Sequence, residues 1–416
     1  MTFQSPTPTW TIPPAQVNSV AISDDGTRCV YGSSFERGQG YFYTYMVDNQ
    51  GNQLWKQPIQ RNTATYQGVY WVDISGDAAI VAAGGETVDY HEDPSCANPG
   101  FLQAFVGTTG EKFLDITKPA RINQVSLSHD GSYLAICYGQ TVEVYKLKKL
   151  IITPGLTNYQ FDSIFTHTST TYDINSCVIS HDGSTVVAAA INWDANKSGS
   201  TDTHKGAILS FSINDTTVST LGTCDLTTAG PIQVAVTDNG SHWAASLHDG
   251  SCALVNNSNP STLVWQHLAT PATGYTLDLA YAVAIGINTS GNALVACGAN
   301  LSGGTKGGLL YLVENVSGTA TAQWQAELSY GANPGVSMDH GTTHVTATDG
   351  KPVGQTTTES AGNLYLFKVA DGSTVIQQPT FMMNWPMQIS RDGSAVVGAS
   401  DDGTVYYWKS PYTSAG

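Results

Sequence analysis

Apolar residues in this chain come in short runs broken by Gly, Asn and Asp turns, and no segment sustains the spacing of an amphipathic helix. One pattern recurs: an apolar strand, a Ser or Thr, an Asp-Gly-like turn, then a second apolar strand. It reads VAISDDGTRCVYG at Val20, VSLSHDGSYLAICYG at Val125, CVISHDGSTVVAAA at Cys177 and VAVTDNGSHWAAS at Val234. It returns as AIGINTSGNALVACG at Ala284 and MQISRDGSAVVGAS at Met387, with weaker copies VDISGDAAIVAAGG at Val72 and VSMDHGTTHVTAT at Val336. The copies fall roughly 50 residues apart, near the size of one propeller blade.

The rest of each repeat is also regular. A third strand usually opens with Gly (GYFYTYMVD, GFLQAFVG, GAILSFSI, GGLLYLVE, GNLYLFKVA, GTVYYWK), and several repeats add a fourth with a Trp, at Trp55, Trp265 and Trp324. Alternating aromatic and β-branched residues between Gly and Asn turns is strand chemistry. The pattern predicts an all-β fold: an eight-bladed β-propeller with four antiparallel strands per blade. The last repeat stops after its third strand, and the N-terminal PTWTIPP carries Trp10 at the position of Trp55 and Trp265. The N-terminal strand is therefore expected to complete the last blade and remove an open edge. The whole chain reads as one domain, with blades at approximately 16–62, 67–118, 121–166, 172–228, 231–271, 280–330 and 334–380, and a last blade joining 385–410 to 7–14. These repeats resemble those of the WD40-like and quinoprotein-like propeller superfamilies. The resemblance lies at the level of the fold, because VYKLKK, LFKVAD and YYWKSP stand where WD40 blades carry Trp-Asp. It implies a shape and leaves activity open.

In this topology the Asp-Gly turns share one face, and His129, His181 and Asp392 read as turn residues there. Loops between second and third strands emerge on the opposite face with the blade-to-blade connections. Blades 3, 5 and 8 have tight links there (GQT, HDG, DDG). Blades 2, 4 and 7 have ETVDYHEDPSCANPG, NWDANKSGSTDTHKG and TDGKPVGQTTTESAGN. Long loops around a central funnel mark a binding face, to which the connections add Tyr172, Met382 and Met383. Alignment on the Ser before each turn places Asn18, Tyr70, Asn123 and Asn175 at equivalent funnel positions, followed by the apolar Ile232, Val283 and Trp385. The candidate ligand-binding residues are thus Asn18, Tyr70, Asn123, Asn175, Trp193, Tyr275 and Trp385. The competing role for the Asn residues is to satisfy neighbouring strand ends.

Composition narrows the function classes. Charged residues make up only 12% of the 416, and the net charge of -16 argues against nucleic acid or an anionic membrane surface. No apolar run is long enough to span a bilayer. The N-terminus lacks the basic and apolar regions of a signal peptide. The Thr/Asn-rich, charge-poor composition favours the mature chain of an extracellular or periplasmic protein, a cytoplasmic one being the alternative. The seven Cys form no C-x-x-C pair. Cys29, Cys137, Cys177 and Cys297 read as buried thiols, and a disulfide is open among Cys96, Cys224 and Cys252.

The run Asp194-Ala-Asn196-Lys-Ser198-Gly199-Ser200-Thr-Asp202 spaces oxygen donors as a calcium loop does, with Gly at the sixth position. Asp194, Asn196, Ser198, Ser200 and Asp202 are the candidate calcium ligands. The spacing is similar to the hairpin loops of integrin-α propellers, with Asn and Ser replacing two carboxylates. VDYHEDPSC groups Asp89, His91, Glu92, Asp93 and Cys96 without a metal-site spacing, and His340 and His344 bracket a hairpin turn. No nucleophile elbow, zincin motif, P-loop or dinucleotide fingerprint is present. The reading is a non-catalytic exported propeller that binds a glycan, peptide or partner subunit, or self-assembles, through its long-loop face. The alternative is an enzyme using the funnel: a quinone-dependent dehydrogenase or a carbohydrate-active lyase or hydrolase. For a hydrolase the top-face carboxylates would be Glu92, Asp278 and Glu359.

Overall fold

The computed structural model describes residues 6–12, 17–33, 42–59, 68–87, 100–153, 156–351 and 361–412. It is an eight-bladed β-propeller. Six sheets have four antiparallel strands in sequence order from the channel outward, a seventh adds the N-terminal strand outside three C-terminal ones, and the eighth has three. Blade 1 is typical, with strands Val17–Ile22, Arg28–Ser33, Tyr43–Asp48 and Gln53–Pro58. The ring closes as the sequence implied. Strand Trp10–Ile12 pairs antiparallel with Val405–Lys409 as the outer strand of blade 8. The Trp10 indole stacks on Tyr407 with centroids 4.9 Å apart, and the Thr9 N–H donates to the Tyr407 carbonyl at 2.7 Å.

The strands are apolar on both sides because each blade is packed between two others. Among the described residues the buried apolar side chains form eight clusters, one at every blade interface, including that between blades 8 and 1. Strand Ile80–Glu86 shows the rule: Ile80 and Ala82 face blade 3, whereas Val81 and Ala83 face blade 1. Period-two alternation therefore yields long apolar runs here, and exposed polar positions alternate along outer strands such as Lys112–Lys118. Both Cys224 and Cys252 are buried and free, like the other four described cysteines, so the pairing left open for them does not form. Cys96 lies outside the described residues.

Blade 7 departs from four regular strands. Its innermost segment makes only two isolated bridges, Ala332 with Asp349 and Met338 with Val345. Pro334 lacks an N–H to give the ladder, and the Thr346 hydroxyl substitutes by donating to the Gly335 carbonyl at 2.9 Å and accepting from the Ser337 N–H at 2.8 Å.

The Ser-x-Asp turns are held by their own side chains. In blade 1 the Ser23 hydroxyl donates to Asp25 at 2.7 Å and accepts from the Arg28 N–H at 3.0 Å, while Asp25 accepts from the Thr27 N–H at 2.9 Å. Blades 2, 3, 4 and 8 repeat this set. A belt of backbone bonds then ties turn to turn around the channel: Asp24 N–H to Gly76, Gly76 N–H to His129, and His129 N–H to His181. Further links run from Asp182 to Asp238, from His340 to Arg391, and from Asp392 back to Asp24.

Candidate functional site

The funnel opposite these turns is shaped by one repeated irregularity. Seven innermost strands break register near their first residues. The register skips Asn18, Tyr70, Asn123, Asn175, Ile232 and Tyr281, and Trp385 with Pro386 in blade 8. A bulge re-aims the extra residue, and here it is re-aimed at the channel. Six of these side chains (Tyr70, Asn123, Asn175, Ile232, Tyr281 and Trp385) line a cavity of about 650 Å³ together with Arg121, Trp193, Asn300, Asn333, Lys351 and Met383.

Five sequence candidates therefore meet: Tyr70, Asn123, Asn175, Trp193 and Trp385. Two do not. Asn18 is buried, at 2% exposure, with its Oδ1 unpartnered. Tyr275 lies off the cavity, its hydroxyl accepting from the Thr305 and Lys306 N–H groups at 3.3 Å. Val283 does not face the funnel either. It packs at the interface of blades 5 and 6, and Tyr281 holds its expected place. The reason is that six residues, 282–287, pair between the bulge and the turn in blade 6, whereas four, 19–22, do so in blade 1. Counting back from the turn therefore misses the bulge. Arg121, Tyr281, Asn300, Asn333 and Lys351 were not singled out from sequence, because they come from strand ends and connections outside the aligned pattern.

Polar groups on the funnel wall fall into two kinds. Asn123 and Asn175 each donate to a carbonyl of the next blade, Ile174 at 3.0 Å and Ile232 at 2.8 Å, so they stitch blades while lining the channel. Asn300 Oδ1 and Asn333 Nδ2 are buried and have no hydrogen-bond partner among the described residues. An orphan acceptor and an orphan donor on one cavity wall are what a polar ligand or bound water would satisfy.

The charge on the wall runs against that of the chain. Arg121 and Lys351 line the funnel, and no carboxylate does among the described residues. Arg121 lies over the Tyr70 ring at 4.1 Å and donates to Asn123 Oδ1 at 3.3 Å. A buried acid, Asp349, adjoins the wall residue Gly350. It accepts from the Tyr330 N–H at 3.0 Å, the Tyr365 hydroxyl at 2.9 Å and the Asn363 amide at 3.1 Å. Burial pushes its carboxyl up, and its full set of donors marks a structural group. Trp385 is fixed by its Nε1 donating to Asp401 at 2.6 Å, and Trp193 meets His248 edge-on at 6.1 Å.

The loop of blade 4 folds over the funnel rim as a short helix, Trp193–Asn196, capped by Asn192, which accepts from the Ala195 N–H. The calcium candidates are committed elsewhere in this conformation. Asp194 pairs with Lys197 at 2.5 Å. Asn196 donates to the carbonyls of Asn192 and Lys205, both at 2.7 Å, and accepts from the Gly230 N–H at 2.8 Å. Asp202 accepts from the His204 N–H at 2.8 Å, and Ser200 from the Asp202 N–H at 3.3 Å. Ser198 is exposed. A calcium ion would have to displace Lys197 and free Asn196 from Gly230. The acidic group Asp89, His91, Glu92, Asp93 and Cys96 lies outside the described residues, as does Glu359, and Asp278 is exposed.

A comparison with protein-family models finds no match to this chain, and a search of curated proteins finds none.

Proposed function

We propose that the protein is an exported, non-catalytic binding module whose funnel takes a polyhydroxylated ligand, the end of a glycan. The observation that carries this reading is the chemistry of the wall. Tyr70, Trp193, Tyr281 and Trp385 offer ring faces, and Asn300 and Asn333 offer an unpaired acceptor and donor. Sugars present both apolar C–H faces and hydroxyls, so a site of aromatic planes with a few placed amides suits them. Arg121 and Lys351 extend the range to sugars bearing an acid. The described wall holds no carboxylate pair of the kind glycoside hydrolysis uses.

The test is a glycan-array screen of the purified protein, followed by calorimetry on the best ligand with Tyr281→Ala and Asn300→Ala. Tyr281 is 37% exposed, so its truncation leaves the fold intact. Stacking of this kind predicts a loss of roughly tenfold or more in affinity. Affinity unchanged in both variants would sink the funnel as the site. Turnover of a bound glycan would favour the enzyme reading, and retention of a peptide or a second subunit would favour assembly.

A further inference from the structure

The turns on the face opposite the funnel carry a second constellation. Their second residues, in blade order, are Asp24, Gly76, His129, His181, Asp238, Thr289, His340 and Arg391. The ring is a twofold repetition: Asp-Gly-His-His in blades 1 to 4, then Asp-Thr-His-Arg in blades 5 to 8. In the second half the acid is balanced from within the chain. Arg391 Nη2 lies 2.5 Å from Asp238 Oδ2 and His340 Nδ1 lies 2.6 Å from the same oxygen. In the first half His181 stands where Arg391 would, and neither Lys nor Arg pairs with Asp24 among the described residues.

What gathers around Asp24 is a set of metal-ligand atoms. His129 Nδ1 and His181 Nε2 each lie 2.9 Å from Asp24 Oδ2. The two imidazoles stack with centroids 4.2 Å apart, and the three ligand atoms fall within 4.8 Å of one another. His129 Nδ1 is sealed from solvent and makes no hydrogen bond, despite its closeness to the carboxylate. Blade 2 leaves room for this meeting by having glycine at its turn. A Cβ on Gly76 would stand 2.0 Å from His129 Nδ1 and 2.6 Å from Asp24 Oδ2.

We propose that Asp24, His129 and His181 form a site for a divalent transition metal of the zinc class, clasping blade 1 to blades 3 and 4 across the glycine turn of blade 2. Two imidazole nitrogens and one carboxylate oxygen suit zinc and its neighbours, and do not suit calcium or magnesium. Bonds of 2.0–2.1 Å in a tetrahedron put ligand atoms about 3.3 Å apart, so the two nitrogen-to-carboxylate spacings of 2.9 Å need open by only a few tenths of an ångström. The ion would supply the positive charge that Arg391 supplies in the other half. The field around the site favours a cation as well. Asp73, whose carboxylate accepts from the Leu127 and Ile74 N–H groups, is pushed up to about 7 by burial, with the charge of Asp24 adding to it. The ligands are far apart in sequence, so the site exists only in the closed ring and metal binding stabilises the folded state.

The decisive experiment is calorimetry of chelator-stripped protein with zinc, and the visible spectrum of its cobalt form. Wild type should bind about one equivalent of zinc with a Kd at or below ~1 µM and melt at a higher temperature with zinc. His181→Arg copies the other half of the ring and should fold normally while losing affinity by ~100-fold or more. His129→Gln and Gly76→Ala should lose it too. Absence of saturable zinc binding by the wild type, or unchanged affinity in His181→Arg or His129→Gln, would overturn the site.

Discussion

Trp55 gives the sharpest test of how the blades hold one another. It sits on the outer strand of blade 1, only 7% exposed, with its Nε1 donating to the Gly107 carbonyl of blade 2 at 2.7 Å. Its ring lies against the Gly110 turn and 5.6 Å from Phe105. Truncating a buried Trp costs about 3–5 kcal/mol, from lost transfer and the cavity left behind. Leaving the Gly107 carbonyl unpaired adds about 1 kcal/mol. We therefore expect Trp55→Ala to destabilise the protein by about 4 kcal/mol or more. Trp55→Phe keeps much of the packing but loses the bond, and should cost about 1–2 kcal/mol. Leu54, its neighbour on the strand, is 44% exposed, and Leu54→Ala should stay within about 0.5 kcal/mol. Urea unfolding followed by circular dichroism measures all three. A Trp55→Ala loss below about 1 kcal/mol, or an equal loss in Leu54→Ala, would refute the idea that these indoles rivet neighbouring blades. Trp324, on the outer strand of blade 6, repeats the arrangement against blade 7, donating to the Val369 carbonyl at 2.7 Å beside the Gly372 turn.

Three further predictions concern the funnel rim and the channel. Asp73 is raised to about 7 in the fold from an ordinary 3.8. Its contribution to stability is therefore full at acid pH and lost as pH rises through about 7. Asp73→Asn should be close to neutral at pH 4 and stabilising by about 2 kcal/mol at pH 8, allowing for partial exposure. A difference in melting temperature that does not change with pH would count against it. Asn196→Ala removes two bonds within the blade 4 loop and one that ties it to the entry of blade 5, so amide exchange around 192–205 should accelerate while the blade cores stay protected. For calcium at this loop, which we retain as a proposal, calorimetry should show saturable heat that Asp194→Asn abolishes. Silence at millimolar calcium would dismiss it.

The contrast between reading and structure lies in particular residues. The Ser-x-Asp-Gly turns were legible because Ser23, Asp25 and their equivalents satisfy one another locally, so composition and spacing carry the whole interaction. The closing strand was legible because Trp10 falls in the register of Trp55. The funnel was half legible. Asn123 and Trp385 could be placed by counting from the turn, but Tyr281 could not, because blade 6 pairs two more residues between its bulge and its turn. His129 and His181 were read as turn residues, which they are. What joins them to Asp24 is a distance across blade 2, and the only trace of it in the sequence is a glycine at position 76.

The sequence by itself determined the repeat, the turns and the ring, since each is set by short-range periodicity and by the need of the inner strands to bury both faces. Tertiary structure alone decided which side chains share a wall. Bulges aim residues at the channel, and ring closure brings blade 1 within reach of blades 3 and 4. Those contacts depend on the angle and register between blades, which no local pattern encodes.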